Sequence, residues 1–224
     1  MRIIGGQNRG LKLATPRGHE VRPILDRVRE SLFGILREEV PESRVADLFS
    51  GTGVIGLEAL SRGAAFCTFV ERDPACIATI RENVRRARLD ERSRIIHYDV
   101  FRSAEILAEP DGGTAVLAVS DHGLEARATR SQFDIIFVDP PYRLMRSPRN
   151  LEKLLMLIER LAEPDVLAAG GEIVLRFPSD VEVPARVGPL TQTDRRRWGG
   201  MKIAFLKRTE DAAVNSPRMN TDEH

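Results

Sequence analysis

Hydrophobic residues along this chain fall into two alternating rhythms. Short, nearly unbroken apolar runs, the kind a buried strand requires, occur at residues 45–49 (VADLF), 65–70 (AFCTFV), 94–98 (RIIHY), 133–138 (FDIIFV) and 172–177 (EIVLRF). Between them lie segments with helical period: 26–39, where Val28, Leu32, Ile35 and Leu36 share a face, then 54–62, 74–88, a short piece near 101–108, and 150–162. This alternation predicts an α/β protein, a mainly parallel sheet with helices on both faces. Residues 2–14 read as a small N-terminal β-hairpin, RII and LKLA around the turn GGQNRG. The stretch 181–207 reads as two more strands around Arg195–Gly200. Two segments stand apart from the core. Residues 109–131, rich in Gly, Ala, Asp and Ser, form an insertion between units, and 209–224, polar and without period, form a disordered tail.

Composition narrows the class. The chain has 224 residues, 42% hydrophobic and 30% charged, values of a soluble globular protein. No run approaches the roughly 18 apolar residues of a membrane span, and MRIIGGQNRG lacks the apolar centre of a signal peptide. Cys67 and Cys76 fit no zinc or redox spacing and read as reduced thiols. His19, His97, His122 and His224 are scattered, so no metal is expected. The formal net charge is only +1, yet residues 1–29 carry seven basic side chains against two acidic ones, a local +5. A basic arm on a near-neutral body points to a polyanionic partner.

The candidate chemistry lies where strands end. DLFSGTGVIG (47–56) follows the first strand, opens a helix and contains G-x-G-x-x-G at Gly51, Gly53 and Gly56. Without Cβ atoms such a loop lets backbone approach a ligand closely. Glu71 ends the second strand 18 residues after Gly53, where an acid can accept hydrogen bonds from ribose hydroxyls. The pattern allows a nicotinamide dinucleotide or S-adenosylmethionine. Asp47 favours the second, because a carboxylate before the loop repels a pyrophosphate and attracts an α-ammonium group. Asp99 ends the third strand, positioned either for an adenine amino group, with the backbone near Val100 beside the ring, or as the N-cap of residues 101–108.

The fourth strand ends in Asp139, Pro140, Pro141 and Tyr142, across the same crevice as the glycine loop. The prolines remove two N–H donors, leaving the Asp139 carboxylate, backbone carbonyls and a flat ring. That combination suits an exocyclic amine on a planar base, with the base stacked on Tyr142 for roughly 1–3 kcal/mol. An aromatic amine is a poor nucleophile, since its lone pair is delocalised. Acceptors off the ring plane localise that pair, and Asp139 offsets the positive charge that grows on nitrogen.

These residues resemble the Rossmann-like methyltransferases that act on exocyclic amines, and among them the RsmD family, which methylates a guanine N2 in 16S rRNA. The stretches that carry the resemblance are RIIGGQNRG, RPILDRVRESLFGIL, VADLFSGTGVIGLEALSRGA, VERD and FDIIFVDPPY. The chain departs at Ile24 and Leu25, where the family carries hydroxyl residues, and at Gly34, where it often has Asn. The resemblance implies a Rossmann-like methyltransferase fold, a seven-stranded sheet with an antiparallel last strand. It implies S-adenosylmethionine as cofactor, held by Asp47, Ser50, Gly51, Gly53, Glu71, Asp99 and Val100, with Asp139, Pro140, Pro141 and Tyr142 as the catalytic motif. The implied organisation is a basic hairpin arm at 1–24, the methyltransferase domain at 25–208 and the tail at 209–224. The expected partner is 16S rRNA, in the small ribosomal subunit or an assembly intermediate, met by a cytoplasmic monomer without metal. Arg9, Lys12, Arg17, Arg22 and Arg29 are the candidate RNA contacts, Arg22 and Arg29 nearer the pocket; Arg195–Arg197 beside Trp198 form a second basic cluster. D-P-P-Y also occurs in DNA adenine-N6 enzymes, so a DNA amino-methyltransferase and a non-catalytic RNA-binding assembly factor are the alternatives.

Overall fold

The computed structural model describes residues 1–16, 25–109 and 132–209. Arg17, Arg22, nearly all of the 109–131 insertion and the tail beyond Thr209 lie outside the described residues. After helix α1 (Asp26–Ile35) the chain alternates through β1 (Arg44–Leu48), α2 (Val54–Ser61), β2 (Phe66–Glu71), α3 (Pro74–Ala87), β3 (Ser93–His97), α4 (Ser103–Leu107) and β4 (Phe133–Val138). It continues through α5 (Tyr142–Met145), α6 (Pro148–Leu161), β5 (Leu167–Pro178), β6 (Arg186–Val187), β7 (Leu190–Trp198) and β8 (Met201–Arg208).

The strands form one sheet in the order β3-β2-β1-β4-β5-β8-β7-β6. The first five run parallel, while β8 is antiparallel to both β5 and β7. Seven long strands with an antiparallel last one match expectation; the eighth, β6, is a two-residue edge strand too short to carry a pattern. The direction of winding reverses between β1 and β4, which opens a crevice at their carboxyl ends.

Each face of the sheet carries its own core. Helices α1, α2 and α3 cover one face, around Leu32, Phe33, Leu57, Leu60, Phe69 and Ile80. Helices α4 and α6 cover the other, where Leu154, Leu157, Ile158 and Leu161 recur at helical spacing. Helix starts follow local chemistry. Asp73 accepts from the N–H groups of Ala75 and Cys76 with Pro74 in the first turn, and Pro148 likewise opens α6. Helix α1 stops at Ile35, four residues before its apolar pattern predicts. Val40 turns inward and is buried, and Pro41 disfavours helical backbone at the residue before it. Strand β5 begins five residues earlier than its apolar run, because Leu167 pairs with Phe133 ahead of a register shift near Gly170.

The N-terminal hairpin is narrower than its sequence suggests, with one bridge, Arg2 to Lys12, flanked by Ile3 N–H to Leu11 C=O (3.0 Å) and Leu13 N–H to Met1 C=O (3.1 Å). Ile3 and Leu13 are buried in the α1–α3 core. Beneath the hairpin runs a buried ion network. Glu58, fully buried on α2, accepts from the Ile4 N–H (2.9 Å) and from Arg62 Nε (2.8 Å), and lies 3.4 Å from Arg29 Nε. Arg29 also donates to the Arg2 carbonyl (2.6 Å) and to Asp26 (3.0 Å). It is 0% exposed, so its assignment to RNA contact is corrected: its charge ties hairpin to helix and has no access to a phosphate.

Removing one partner of a buried ion pair strands the other charge. Glu58→Leu is therefore expected to cost about 3–5 kcal/mol in urea unfolding, whereas Asp26→Ala, at the half-exposed outer end, costs at most about 1 kcal/mol. Equal unfolding midpoints for the two variants would contradict this account of the network.

Candidate active site

The carboxyl edge of the sheet gathers the residues singled out above, and the backbone explains how. Gly51 and Gly53 adopt φ of 55° and 75°, the left-handed region that glycine reaches without strain. They turn the chain sharply from β1 into α2. Phe49 also sits at positive φ (58°), an uncommon conformation for a bulky residue, and its ring meets Phe101 edge-on at 5.9 Å. The third glycine of the motif serves packing: a Cβ on Gly56 would lie 2.4 Å from Phe69 Cε1 and 2.6 Å from Cys67 Sγ. Only glycine lets α2 lie this close to β2.

Side chains pin the loop. The single Ser50 hydroxyl proton is shared between the carbonyls of Asp47 (2.5 Å) and Val70 (3.1 Å). The carboxylate expected to meet an ammonium group lies beneath the loop, 1% exposed, with Asp47 Oδ2 accepting from the Gly56 N–H at 3.0 Å. Glu71 accepts from Gly51 N–H (2.9 Å) through one oxygen and from Arg72 N–H (2.8 Å) and Asp73 N–H (3.0 Å) through the other. Its orientation is fixed while lone-pair capacity remains for a further donor. Asp99 is exposed and accepts from the Phe101 N–H (3.1 Å), as an N-cap does, and Val100 behind it is buried.

Asp139 N–H reaches the Leu48 carbonyl (3.3 Å), which holds the D-P-P-Y segment against the end of β1. Pro141 then opens α5, and Tyr142 is its first residue. Sequence reasoning missed the partner of Asp139. The register pairs Val138 with Leu175, so the next residue of β5, Arg176, falls beside Asp139. Its Nε donates to Asp139 Oδ1 at 2.5 Å, and its guanidinium carbon lies 5.3 Å from the Tyr142 ring centroid. The signal was a single cation interrupting the apolar run of 172–177.

Electrostatics bind the site together. Burial pushes the Asp47 carboxyl well above the usual carboxylate range; the Gly56 N–H opposes this, while Asp139 and Glu71 push it further. Burial likewise raises Asp139, and the Arg176 charge and hydrogen bond oppose the rise. An acidic cradle around a glycine loop disfavours a pyrophosphate and fits a cofactor that carries a positive charge and ribose hydroxyls. A cavity of about 320 Å³ opens elsewhere, at the amino edge of β1 and β4 between Glu42, Asp134, Glu172 and Lys207, and contains none of these residues.

The other basic candidates separate. Arg9 and Lys12 are exposed on the hairpin. Arg195 bonds Gln192 and the Val183 carbonyl, Arg196 bonds Asp194, and Arg197 is exposed. Trp198 packs partly buried against the α1–α3 core.

Fold and site define a Rossmann-like methyltransferase with a D-P-P-Y segment after the fourth strand. More narrowly, the chain belongs to the RsmD family: the family model described as "Conserved hypothetical protein 95" matches residues 1–119 and 107–207. It is 32% identical over 208 residues to the "Putative rRNA methyltransferase YlbH" of Bacillus subtilis, covering 93% of this chain and 99% of that protein. It is 36% identical over 143 residues to the "Ribosomal RNA small subunit methyltransferase D" of Escherichia coli, covering 64% of this chain and 61% of that protein. The solved structure described as "Putative methyltransferase yhhF from Escherichia coli" matches with a TM-score of 0.70 at 28% identity, over 93% of this chain and 97% of that one.

Because the folded-state pKa of Asp47 is raised, its contribution to stability is fully present below the unfolded carboxylate range and is lost as pH rises through the raised value. Asp47→Asn removes that loss. The melting temperature of the variant relative to the parent is expected to improve as pH rises above the usual carboxylate range, with about 2–4 °C corresponding to 1 kcal/mol in a chain of this size. A pH-independent difference in calorimetry would mean that Asp47 carries no such penalty.

Proposed function

We propose that this protein transfers a methyl group from S-adenosylmethionine to the exocyclic N2 amine of a guanine in 16S rRNA, in the small ribosomal subunit or an assembly intermediate of it. The reading places the enzyme in the cytoplasm, acting as a monomer without metal. The observation that carries it is the fixed Asp139 carboxylate, held on the crevice beside the glycine loop and followed by two prolines and a tyrosine. Family membership supports rRNA as the substrate class.

In this reading Glu71 holds the ribose, Gly51 and Gly53 let backbone approach the cofactor, Ser50 holds the loop in shape, and the charge of Asp47 attracts the methionine ammonium. Asp99 and Val100 border the adenine. S-adenosylmethionine, when bound, supplies a methyl group on a sulfonium leaving group. Asp139 and the Pro140 carbonyl accept the two amine hydrogens, which localises the nitrogen lone pair, and Tyr142 stacks on the base. Alignment supplies on the order of 7–11 kcal/mol of the barrier. Asp139 takes the amine proton, or passes it to water, late in the reaction. A guanine inside a helix cannot present its amine this way, so the target base is unpaired or flipped out. Arg9, Lys12, Arg17 and Arg22 grip the surrounding phosphates. Among the described residues no helix is long and apolar enough to cross a membrane.

The deciding assay is transfer of label from the cofactor to small-subunit RNA, followed by nucleoside analysis. N2-methylguanosine is expected; label appearing instead in duplex DNA favours the adenine-N6 alternative, and no transfer to either favours the non-catalytic one. Asp139→Ala is expected to abolish transfer with cofactor affinity unchanged, and Glu71→Ala to lower that affinity by the roughly 1.5–3 kcal/mol of a charged hydrogen bond. Normal turnover in the first, or parental calorimetry in the second, removes that residue from its role. Neutralising Arg9, Lys12 and Arg17 is expected to weaken RNA binding and to lower its salt slope by about 1 for each phosphate no longer neutralised, leaving cofactor affinity alone. An unchanged salt series assigns the arm a structural role.

A further inference from the structure

We infer that Arg176 is a positioning residue for methyl transfer: one guanidinium fixes the Asp139 carboxylate and at the same time backs the Tyr142 ring, so that acceptor and stacking surface are presented as a unit. The inference rests on the reading of Asp139 as the amine acceptor. Three elements meet at this point. The carboxylate comes from the end of β4, the ring from the first residue of α5, and the cation from β5, where the parallel register puts it beside Asp139. Both ionic side chains are nearly enclosed, 12% exposed for Arg176 and 15% for Asp139. Such an ion pair is only weakly screened by solvent.

The geometry divides the carboxylate. Arg176 Nε occupies Oδ1, and Oδ2 is the oxygen available to a substrate amine. It also divides the ring: with Arg176 over one face of Tyr142, a base stacks on the opposite face. The charge has a third consequence. The titratable groups coupled to this pair are Asp47 from β1, which is itself coupled to Glu71 of β2, and Tyr142 from α5, which is coupled to Arg176. Burial disfavours ionisation of Asp139, and Arg176 is the cation that opposes it. An ionised carboxylate is the stronger acceptor for an amine N–H, and the Arg176 charge favours that form.

The test compares Arg176→Met, Arg176→Lys and Asp139→Asn in single-turnover methylation across a pH series, with cofactor affinity and melting measured in parallel. Arg176→Met is expected to move the acid limb of the pH–rate profile to higher pH, so that between the two limbs the variant-to-parent rate ratio falls about tenfold for each pH unit by which the pH is lowered. Cofactor affinity stays at the parental value. Arg176→Lys restores the position of the limb, since it keeps the charge. It turns over more slowly, because an ammonium lacks the planar fork and the flat face that meets the ring. Asp139→Asn loses transfer. An inactive Asp139→Asn beside an Arg176→Met with parental rate and profile overturns the inference and spares the reading of Asp139. An active Asp139→Asn overturns both. Should Arg176→Met lack a cooperative melt, Arg176→Lys decides alone: a parental rate at every pH overturns the proposal, and a slower rate on an unshifted limb supports it.

Discussion

Keeping acids together under partial burial is the constraint around which this site is built. Asp47, Glu71 and Asp139 end three neighbouring strands of one parallel sheet, where burial and the charges of the other two make Asp47 resist ionisation. The fold answers each acid with a different donor. Asp47 receives the Gly56 N–H at the start of α2, Glu71 receives three backbone N–H groups, and Asp139 receives a guanidinium. Backbone donors hold the geometry of Asp47 and Glu71 without adding a full positive charge beside them. A full counter-charge meets Asp139, the acid proposed to face the amine.

The N-terminal hairpin depends on buried polar partners in a similar way. Alone, a two-stranded ribbon with one bridge is unstable in water. Here it is secured by polar groups from the helices around the glycine loop. Glu58 and Ser61 of α2 accept its N–H groups, and the fully buried Asn83 of α3 accepts from Ala14 N–H (2.7 Å) while donating to the carbonyls of Ala14 (3.1 Å) and Thr52 (3.0 Å). Thr52 belongs to the glycine loop, so one amide side chain links the basic arm to that loop. An arm anchored in this way presents Arg9 and Lys12 in a fixed relation to the crevice.

Most of the architecture was legible because a parallel sheet buried on both faces demands apolar runs, and helices that cover it demand a 3.6-residue period. What blurred was set by non-local pairing. The end of α1 depends on Val40 turning inward before Pro41, the early start of β5 depends on Phe133 as a partner, and β6 exists only because β7 lies beside it. Arg29 reads in sequence as one more charge of a basic arm, and only packing shows it sealed beneath that arm.

The site divides along the same line. By itself the sequence determined the glycine loop, the acids at the strand ends and the D-P-P-Y motif, because each is a set of particular residue types at fixed offsets from a strand. It determined the family as well, since those offsets recur in one order. Tertiary structure alone decided what each acid touches. Asp47 lies under the loop, Asp99 caps the next turn, and Arg176, 37 residues from Asp139 along the chain, pairs with it through the register of β4 and β5. Register is a property of two strands together, and no local pattern encodes which side chain it will place opposite another.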